Sequence, residues 1–150
     1  MSELVIIQAM QSLTTRLQAV TTADGWQTDI GPAVHTGWPK HLILHQQIDP
    51  PVVAVHPSTD DRVSGQGGNI KSTRTVEIEV IASQHDTPPE WLDRALHDIR
   101  GALVGLDRDI PRVITAEAGS ATWSELEDTA LVRLIVPVTI DYTDHYGGPA

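Results

Sequence analysis

Two segments of this sequence alternate between apolar and polar side chains with a period of two, which is the spacing of a β-strand. They are RTVEIEVIAS, residues 74–83, and ALVRLIVPVTIDY, residues 130–142. The apolar positions that share a face are Val76, Ile78, Val80, Val132, Leu134, Val136, Val138, Ile140 and Tyr142. Strands with one apolar face are typical of an antiparallel sheet that packs this face against a core.

Two amphipathic helices are predicted to cover that face. Residues 3–20 place apolar side chains at spacings of three and four, along one helical stripe. A second helix at 87–106 opens with the capping-box pattern T-x-x-E, from Thr87 to Glu90. The order of elements predicts an α+β fold: a mostly antiparallel sheet with two main helices packed on one face. The length of 150 residues predicts a single domain, 1–150.

A polar, glycine-rich stretch follows the short apolar run Val52–Val55 and predicts an extended loop at about 57–72. Within it, GQGGNIKST looks at first like a phosphate-binding loop. Such a loop needs a glycine directly before the lysine and a helix after it. Here Ile70 precedes Lys71 and a strand follows, so the stretch is predicted to connect two strands and not to bind a nucleotide.

The remaining segments predict shorter elements. Strands are expected at 113–117 and 122–126, and strand pieces and loops at 23–51. Pro137 lies in the middle of the longest strand, and proline lacks the N–H that an interior ladder requires. We therefore expect this strand either to lie at an edge of the sheet or to bend at Pro137. An open edge can pair with another chain.

No grouping of residues has the context of a catalytic site. Cysteine is absent, which excludes thiolate zinc sites and cysteine nucleophiles. Glu77 and Glu79 share a strand face, where such a pair usually meets water or a cross-strand partner such as Arg133. His41 and His45 are four residues apart, a spacing that suits a metal if the segment is helical. We predict no enzymatic activity, no metal site and no cofactor. The alternative is a small metal-dependent enzyme that uses His41, His45 and a carboxylate.

The charge of the chain limits its partners. Asp and Glu number 20 against 10 Lys and Arg, a formal net charge of -10. This charge opposes binding to DNA or to anionic membranes. Neither a secretory signal nor an apolar run of membrane-spanning length is present in the sequence, so no membrane partner is expected.

The succession of elements resembles the tail terminator proteins of long-tailed bacteriophages, also called tail completion or minor tail proteins. The resemblance rests on the N-terminal amphipathic helix, PPVVAVHP, the polar glycine loop, RTVEIEVIAS, the capped second helix and the last strand ending in IDYTD. It covers nearly the whole chain and implies a structural virion protein without enzymatic activity. Family members form a hexameric ring that caps the tail tube, ends its polymerisation and joins the tail to the head or neck. Another head-to-tail connector or neck protein is the alternative.

The same resemblance implies the partners and the location. The partners are further copies of the chain, the tail tube protein, the sheath protein where the tail has one, and the connector or neck proteins. The protein would be made in the host cytoplasm and reside in the tail or neck of the virion. DNA would pass through the lumen of the ring without specific binding, which suits an acidic chain because phosphates and carboxylates repel each other.

Candidate interface residues lie in the segment from Asp60 to Arg74, which is locally net positive in an otherwise acidic chain because Arg62, Lys71 and Arg74 outnumber Asp60 and Asp61. As a hypothesis, this stretch docks on the tail tube or on a neighbouring subunit. The residues assigned to this interface are Arg62, Gly65, Gly67, Gly68, Lys71 and Arg74. Glu77 and Glu79 are predicted to face the lumen or to lie on the polar face of the sheet.

Overall fold

The computed structural model describes residues 4–126 and 129–145. The helices and strands in chain order are α1 (Val5–Gln18), β1 (Val34–Thr36), α2 (Pro39–Leu44), β2 (Val52–Gln66), β3 (Asn69–Ser83), α3 (Pro89–Leu103), β4 (Ile114–Glu117), β5 (Thr122–Glu125) and β6 (Leu131–His145). In the part of the chain that is described, none of the helices combines the length and the apolar character that a membrane crossing requires.

Six strands form one sheet, in the order β1-β2-β3-β6-β4, and β5 also pairs with β6. β1 runs parallel to β2, whereas the other pairs are antiparallel. The centre of the sheet consists of β2, β3 and β6, each 15 residues long. The predicted α+β fold, with a mostly antiparallel sheet and two main helices, is confirmed.

α1 and α3 pack on one face of the sheet, which we call the helical face, and enclose the main core. Leu13 and Leu17 of α1 and Ile99 of α3 are fully buried there. The sheet contributes the positions predicted from its alternation, and the buried ones are Val76, Ile78, Val80, Leu134, Val136, Val138, Ile140 and Tyr142. Burial of one such side chain stabilises the fold by about 1.5–3 kcal/mol, so this face holds the helices in place.

Local structure differs from the prediction in two places. The segment 23–51, expected to hold strand pieces and loops, contains α2, which buries Leu42 against β2 on the opposite face of the sheet. We call this opposite face the outer face. Periodicity cannot distinguish a strand from a helix in so short an apolar run. The N-cap of α3 is Pro88, without a side-chain cap bond, so the capping box expected at Thr87 does not form.

β2 and β3 form a long hairpin, so the extended loop predicted at about 57–72 is wrong. Gln66 pairs with Asn69, and the turn residues Gly67 and Gly68 have φ values of 62° and 85°. Glycine adopts these values without steric cost, and turns of this kind match the twist of hairpin strands. The strands lack an apolar alternation here because most of their side chains are exposed or half-buried on both faces.

The distal part of the sheet projects from the two-helix core, and we call it the arm. It consists of residues 57–74 of the hairpin together with residues 139–145 of β6. The ladder between β3 and β6 continues to Asn69 opposite His145, so the arm has three strands almost to its tip. Two register shifts in β2 lie within it, and bulges of this kind increase local twist.

β6 is an interior strand, contrary to the edge position that was one of the two expectations from Pro137. β3 pairs along one side of it, while β5 and β4 pair on the other side with residues 132–135 and 138–141. Pro137 lies between these two pairings, and its carbonyl accepts a hydrogen bond of 2.9 Å from Ala118 N. The nitrogen and the carbonyl of a strand residue point to the same side. The nitrogen of Pro137 therefore points to the gap between β5 and β4, where no N–H is needed for strand pairing.

Candidate functional site

Five of the six predicted interface residues lie on the outer part of the arm. Arg62 and Lys71 are exposed on β2 and β3. Gly67 and Gly68 form the tip, and a Cβ added to Gly65 would lie 3.2 Å from the side chain of Ile70. A strand follows this tip, which confirms that the glycine-rich stretch lacks the helix of a phosphate-binding loop.

Arg74, the sixth residue, belongs to a polar cluster at the root of the arm. Its Nε donates a hydrogen bond of 2.8 Å to Asp60 Oδ2, and the hydroxyl of Tyr142 donates one of 2.6 Å to the same oxygen. Burial, followed by the hydrogen bond to Asp60, raises the pKa of Tyr142 to about 12. The phenol therefore keeps its proton. Asp60 on β2 thus links Arg74 on β3 to Tyr142 on β6, and the Arg74 side chain is bonded within its own chain.

The outer edge of β2 is open along the arm. Among the described residues, β1 pairs with β2 only at Val53, Ala54 and Val55, and β2 has no other strand on that side. Val63, farther along this strand, is 60% exposed. Unpaired N–H and C=O groups on a strand edge are a template for a strand of another chain. The open edge expected on β6 is therefore present, but on β2.

The opposite edge of the sheet is made of the short strands β4 and β5. Two large apolar side chains are exposed on these strands: Ile114 by 59% and Trp123 by 50%. Single exposed apolar residues are normal on a monomer, yet here one lies on each of the two edge strands. The sheet therefore presents two different edges on opposite sides of the domain.

The outer face of the sheet carries a group of ionisable side chains. His56 is paired in register with Glu77, and Glu79 follows on the same face. His56 and Glu79 are buried, and Nε2 of His56 is hydrogen-bonded to Glu79 Oε2. The same nitrogen lies 3.7 Å from Glu77 Oε2, and Arg133 Nη1 lies 3.5 Å from Glu79 Oε1. The expected cross-strand contact of Arg133 with this acidic pair is present.

The two glutamates differ in their access to solvent. The side chain of Glu77 is 32% exposed, whereas that of Glu79 is 7% exposed. Trp38 stacks on the ring of His56 with centroids 5.6 Å apart and covers part of the group. Both glutamates lie on one face of the sheet, and a lumen-facing role for them stays a prediction. In the isolated chain, the Glu79 carboxylate is turned to its protein partners.

The two histidines of the alternative metal-enzyme hypothesis stand apart from this group. His41 and His45 are exposed at α2, with their rings stacked at 5.3 Å between centroids. Within residues 4–126 and 129–145, the set of three or more ligand-type side chains close enough to share an ion is His56, Glu77 and Glu79. The alternative of a metal enzyme built on His41 and His45 therefore lacks a third ligand in the described part of the chain.

Comparison with known proteins yields a match of fold. No protein-family model matches this chain, and no curated protein matches it in sequence. Among solved structures, a chain of the structure described as "Virion of native gene transfer agent (GTA) particle" matches with a TM-score of 0.61 and 16% sequence identity. The match covers 90% of this chain and 94% of that chain. The two chains share a fold over nearly their whole lengths.

Proposed function

We propose that this protein is a structural component of a phage-like virion, and that it forms a hexameric ring that caps the tail tube. In this role it ends tube polymerisation and joins the tail to the head or neck. The observation that carries the proposal is the match to a chain of the gene transfer agent virion, which takes in 90% of this chain and 94% of that one. The order of the sequence elements, which resembles the tail terminator proteins, gives the finer assignment.

The two edges of the sheet supply the contacts that such a ring needs. Head-to-tail closure uses two different patches on each subunit. In the proposed ring, the open edge of β2 on one subunit lies against β4 and β5 of the next, where Ile114 and Trp123 are exposed. Arg62 and Lys71, exposed on the arm, contact the tail tube or the neighbouring subunit.

The proposed role is mechanical and involves no catalysis. A ring that DNA traverses benefits from a surface that does not hold phosphates, and the net charge of -10 provides this repulsion. The further partners are the tail tube protein, the sheath protein where the tail has one, and the connector proteins. The protein would thus reside at the junction of tail and head.

Electron microscopy of the protein mixed with tail tubes tests this proposal. We expect rings at the tube ends and an arrest of tube growth. Val63→Asp, on the open edge, should prevent ring closure because it places a charge in the subunit contact. Leu44→Asp is the matched control, since Leu44 is also 60% exposed but lies on α2, on the outer face of the sheet. Tubes that stay uncapped and keep growing with the unaltered protein would refute the role.

A second candidate is a different head-to-tail connector or neck protein. The same match supports it, because the description of the matched structure names a whole virion. The discriminating experiment mixes the protein with tailless, DNA-filled heads as well as with tubes. Binding to heads without binding to tubes identifies a connector, whereas binding to tube ends identifies a terminator.

A further inference from the structure

Three side chains on the outer face bring one imidazole nitrogen and two carboxylates together. The ligand atoms of His56, Glu77 and Glu79 all lie within 4.8 Å of one another. Adjacent strands hold them in place, since His56 on β2 is paired in register with Glu77 on β3. Imidazole nitrogen and carboxylate oxygen are both ligands of Zn²⁺ in proteins.

The hydrogen bonds of His56 determine which ring nitrogen carries the proton and which one presents a lone pair to the carboxylates. Nδ1 lies 3.1 Å from the carbonyl oxygen of Pro57. This oxygen can only accept, so Nδ1 carries the proton. In a neutral ring Nε2 then has a lone pair, and it points at the carboxylate of Glu79. Two acceptors in contact repel each other unless a cation lies between them, and the cation is either a proton or a metal ion.

The position of Glu77 distinguishes the two cations. A proton on Nε2 can be donated in a hydrogen bond only to Glu79, because Glu77 Oε2 lies 3.7 Å from Nε2, which is beyond hydrogen-bond distance. An ion at the centre of the group contacts both carboxylates and the imidazole. A hydrogen bond from Nδ1–H to a backbone carbonyl is also one of the common outer contacts of a metal-bound histidine. We propose that His56, Glu77 and Glu79 form a binding site for one Zn²⁺ ion.

The site needs only small adjustments to hold the ion. With ligands about 2.0 Å from a tetrahedral zinc, two ligand atoms lie roughly 3.3 Å apart, so side-chain movements of about 1 Å suffice. Three protein ligands leave a fourth position, which water reaches past the half-exposed Glu77. The bound ion would fasten β2 to β3 at the root of the arm. This proposal does not depend on the proposed virion role.

Zinc titration of chelator-treated full-length protein tests the site, with calorimetry for affinity and elemental analysis for stoichiometry. Exposed imidazoles also bind zinc, so a double variant of the exposed pair, His41→Ala with His45→Ala, serves as the reference. We expect this variant to retain one zinc ion per chain with a dissociation constant on the order of 1 μM or below. Cobalt substituted for zinc should give the visible absorption of a tetrahedral site.

Two substitutions in that reference background decide the outcome. His56→Gln should weaken zinc binding at least ~100-fold, because it removes a direct ligand. Glu77→Gln should weaken it as well, and this half-exposed position tolerates the isosteric change without unfolding, which circular dichroism verifies. Unchanged affinity in folded Glu77→Gln, or absence of zinc binding by the reference variant, would overturn the proposal. The second result would identify the cation between His56 and Glu79 as a proton.

Discussion

Among single residues, Asp98 illustrates how one buried carboxylate fixes a loop to a helix. It is fully buried on α3, and its Oδ2 accepts hydrogen bonds from the backbone nitrogen and the hydroxyl of Thr28, at 2.7 and 2.6 Å. Its Oδ1 accepts one from Gln27 N at 3.1 Å. Three donors offset the cost of burying the charge. The segment between α1 and β1 is therefore anchored to α3 at this residue.

We predict that Asp98→Ala lowers the free energy of unfolding by about 3 kcal/mol, because buried donors lose their charged acceptor. Urea unfolding followed by circular dichroism measures the change. Asp93→Ala, an exposed aspartate on the same helix, is the control and should change stability by less than about 0.5 kcal/mol. Equal effects of the two substitutions would mean that the Thr28 contact contributes little.

The sequence identified part of the outer-face group and missed the rest. Glu77 and Glu79 were predicted on one face because the alternation of β3 is plain. His56 was not predicted to join them, because its place opposite Glu77 depends on the hairpin register. In the sequence, the glycine pair 67–68 is the signal that could have placed the hairpin turn and so indicated that register. Two shifts in β2 also intervene between the turn and His56, and these depend on local packing.

At the scale of elements, an ion pair fastens the end of α1 to the segment that follows α3. Arg16 donates from Nε and Nη2 to both oxygens of Asp109, at 2.6 and 2.8 Å. Its Nη1 also donates to the carbonyl of Val104 at 2.9 Å, just past α3. The hydrogen bond from Arg16, followed by that from Ser12, lowers the pKa of Asp109 to about 2.

The lowered pKa of Asp109 predicts a dependence of stability on pH. A carboxylate with a depressed pKa stabilises the fold fully above its unfolded pKa of about 3.9, and the effect is lost as pH falls towards 2. Because the pair is partly solvated, its contribution should be about 1 kcal/mol or less. Thermal unfolding of the unaltered protein and of Asp109→Asn should differ at pH 6 and converge near pH 2. A constant difference would contradict the assignment, and Asp86→Asn, at an exposed turn, is the control.

The tip of the arm gives a prediction about backbone conformation. Gly67 has φ of 62°, which costs a residue with a Cβ roughly 1–2 kcal/mol. Gly67→Val should therefore destabilise the arm by about this amount and speed its amide hydrogen exchange about tenfold. Gly67→Asn should leave the exchange nearly unchanged, because Asn-Gly suits such turns. Similar exchange in both variants would mean that the turn geometry does not hold the arm.

The predictability of each element depended on whether the core covers it. α1, α3 and the core portions of β3 and β6 were predicted because one face of each is apolar. The sequence of residues 57–72 predicts a loop where the arm strands lie, because neither face of this segment carries a continuous apolar pattern. β1, at Val34–Thr36, has three residues, which are too few to show the apolar alternation of a strand. Its parallel pairing with β2 depends on tertiary contacts.

For the whole molecule, the open edge of β2 predicts a change in hydrogen exchange on assembly. In the free subunit, the amides on the outer edge of residues 57–66 should exchange quickly, because no described strand pairs with them. In the ring these amides should become protected, while the amides of β3, paired on both sides, serve as an internal control. A ring whose β2 edge exchanges as fast as in the free subunit would exclude this edge from the subunit contact.

Each of the strands β2, β3 and β6 is continuous from the core into the arm. The arm is thus ordered before it meets any partner. A flexible loop in its place would lose about 1–2 kcal/mol of backbone conformational entropy for each residue that it ordered on docking. The preformed arm has little of this entropy left to lose, so its association should be limited by the rate of encounter and not by folding of the contact surface.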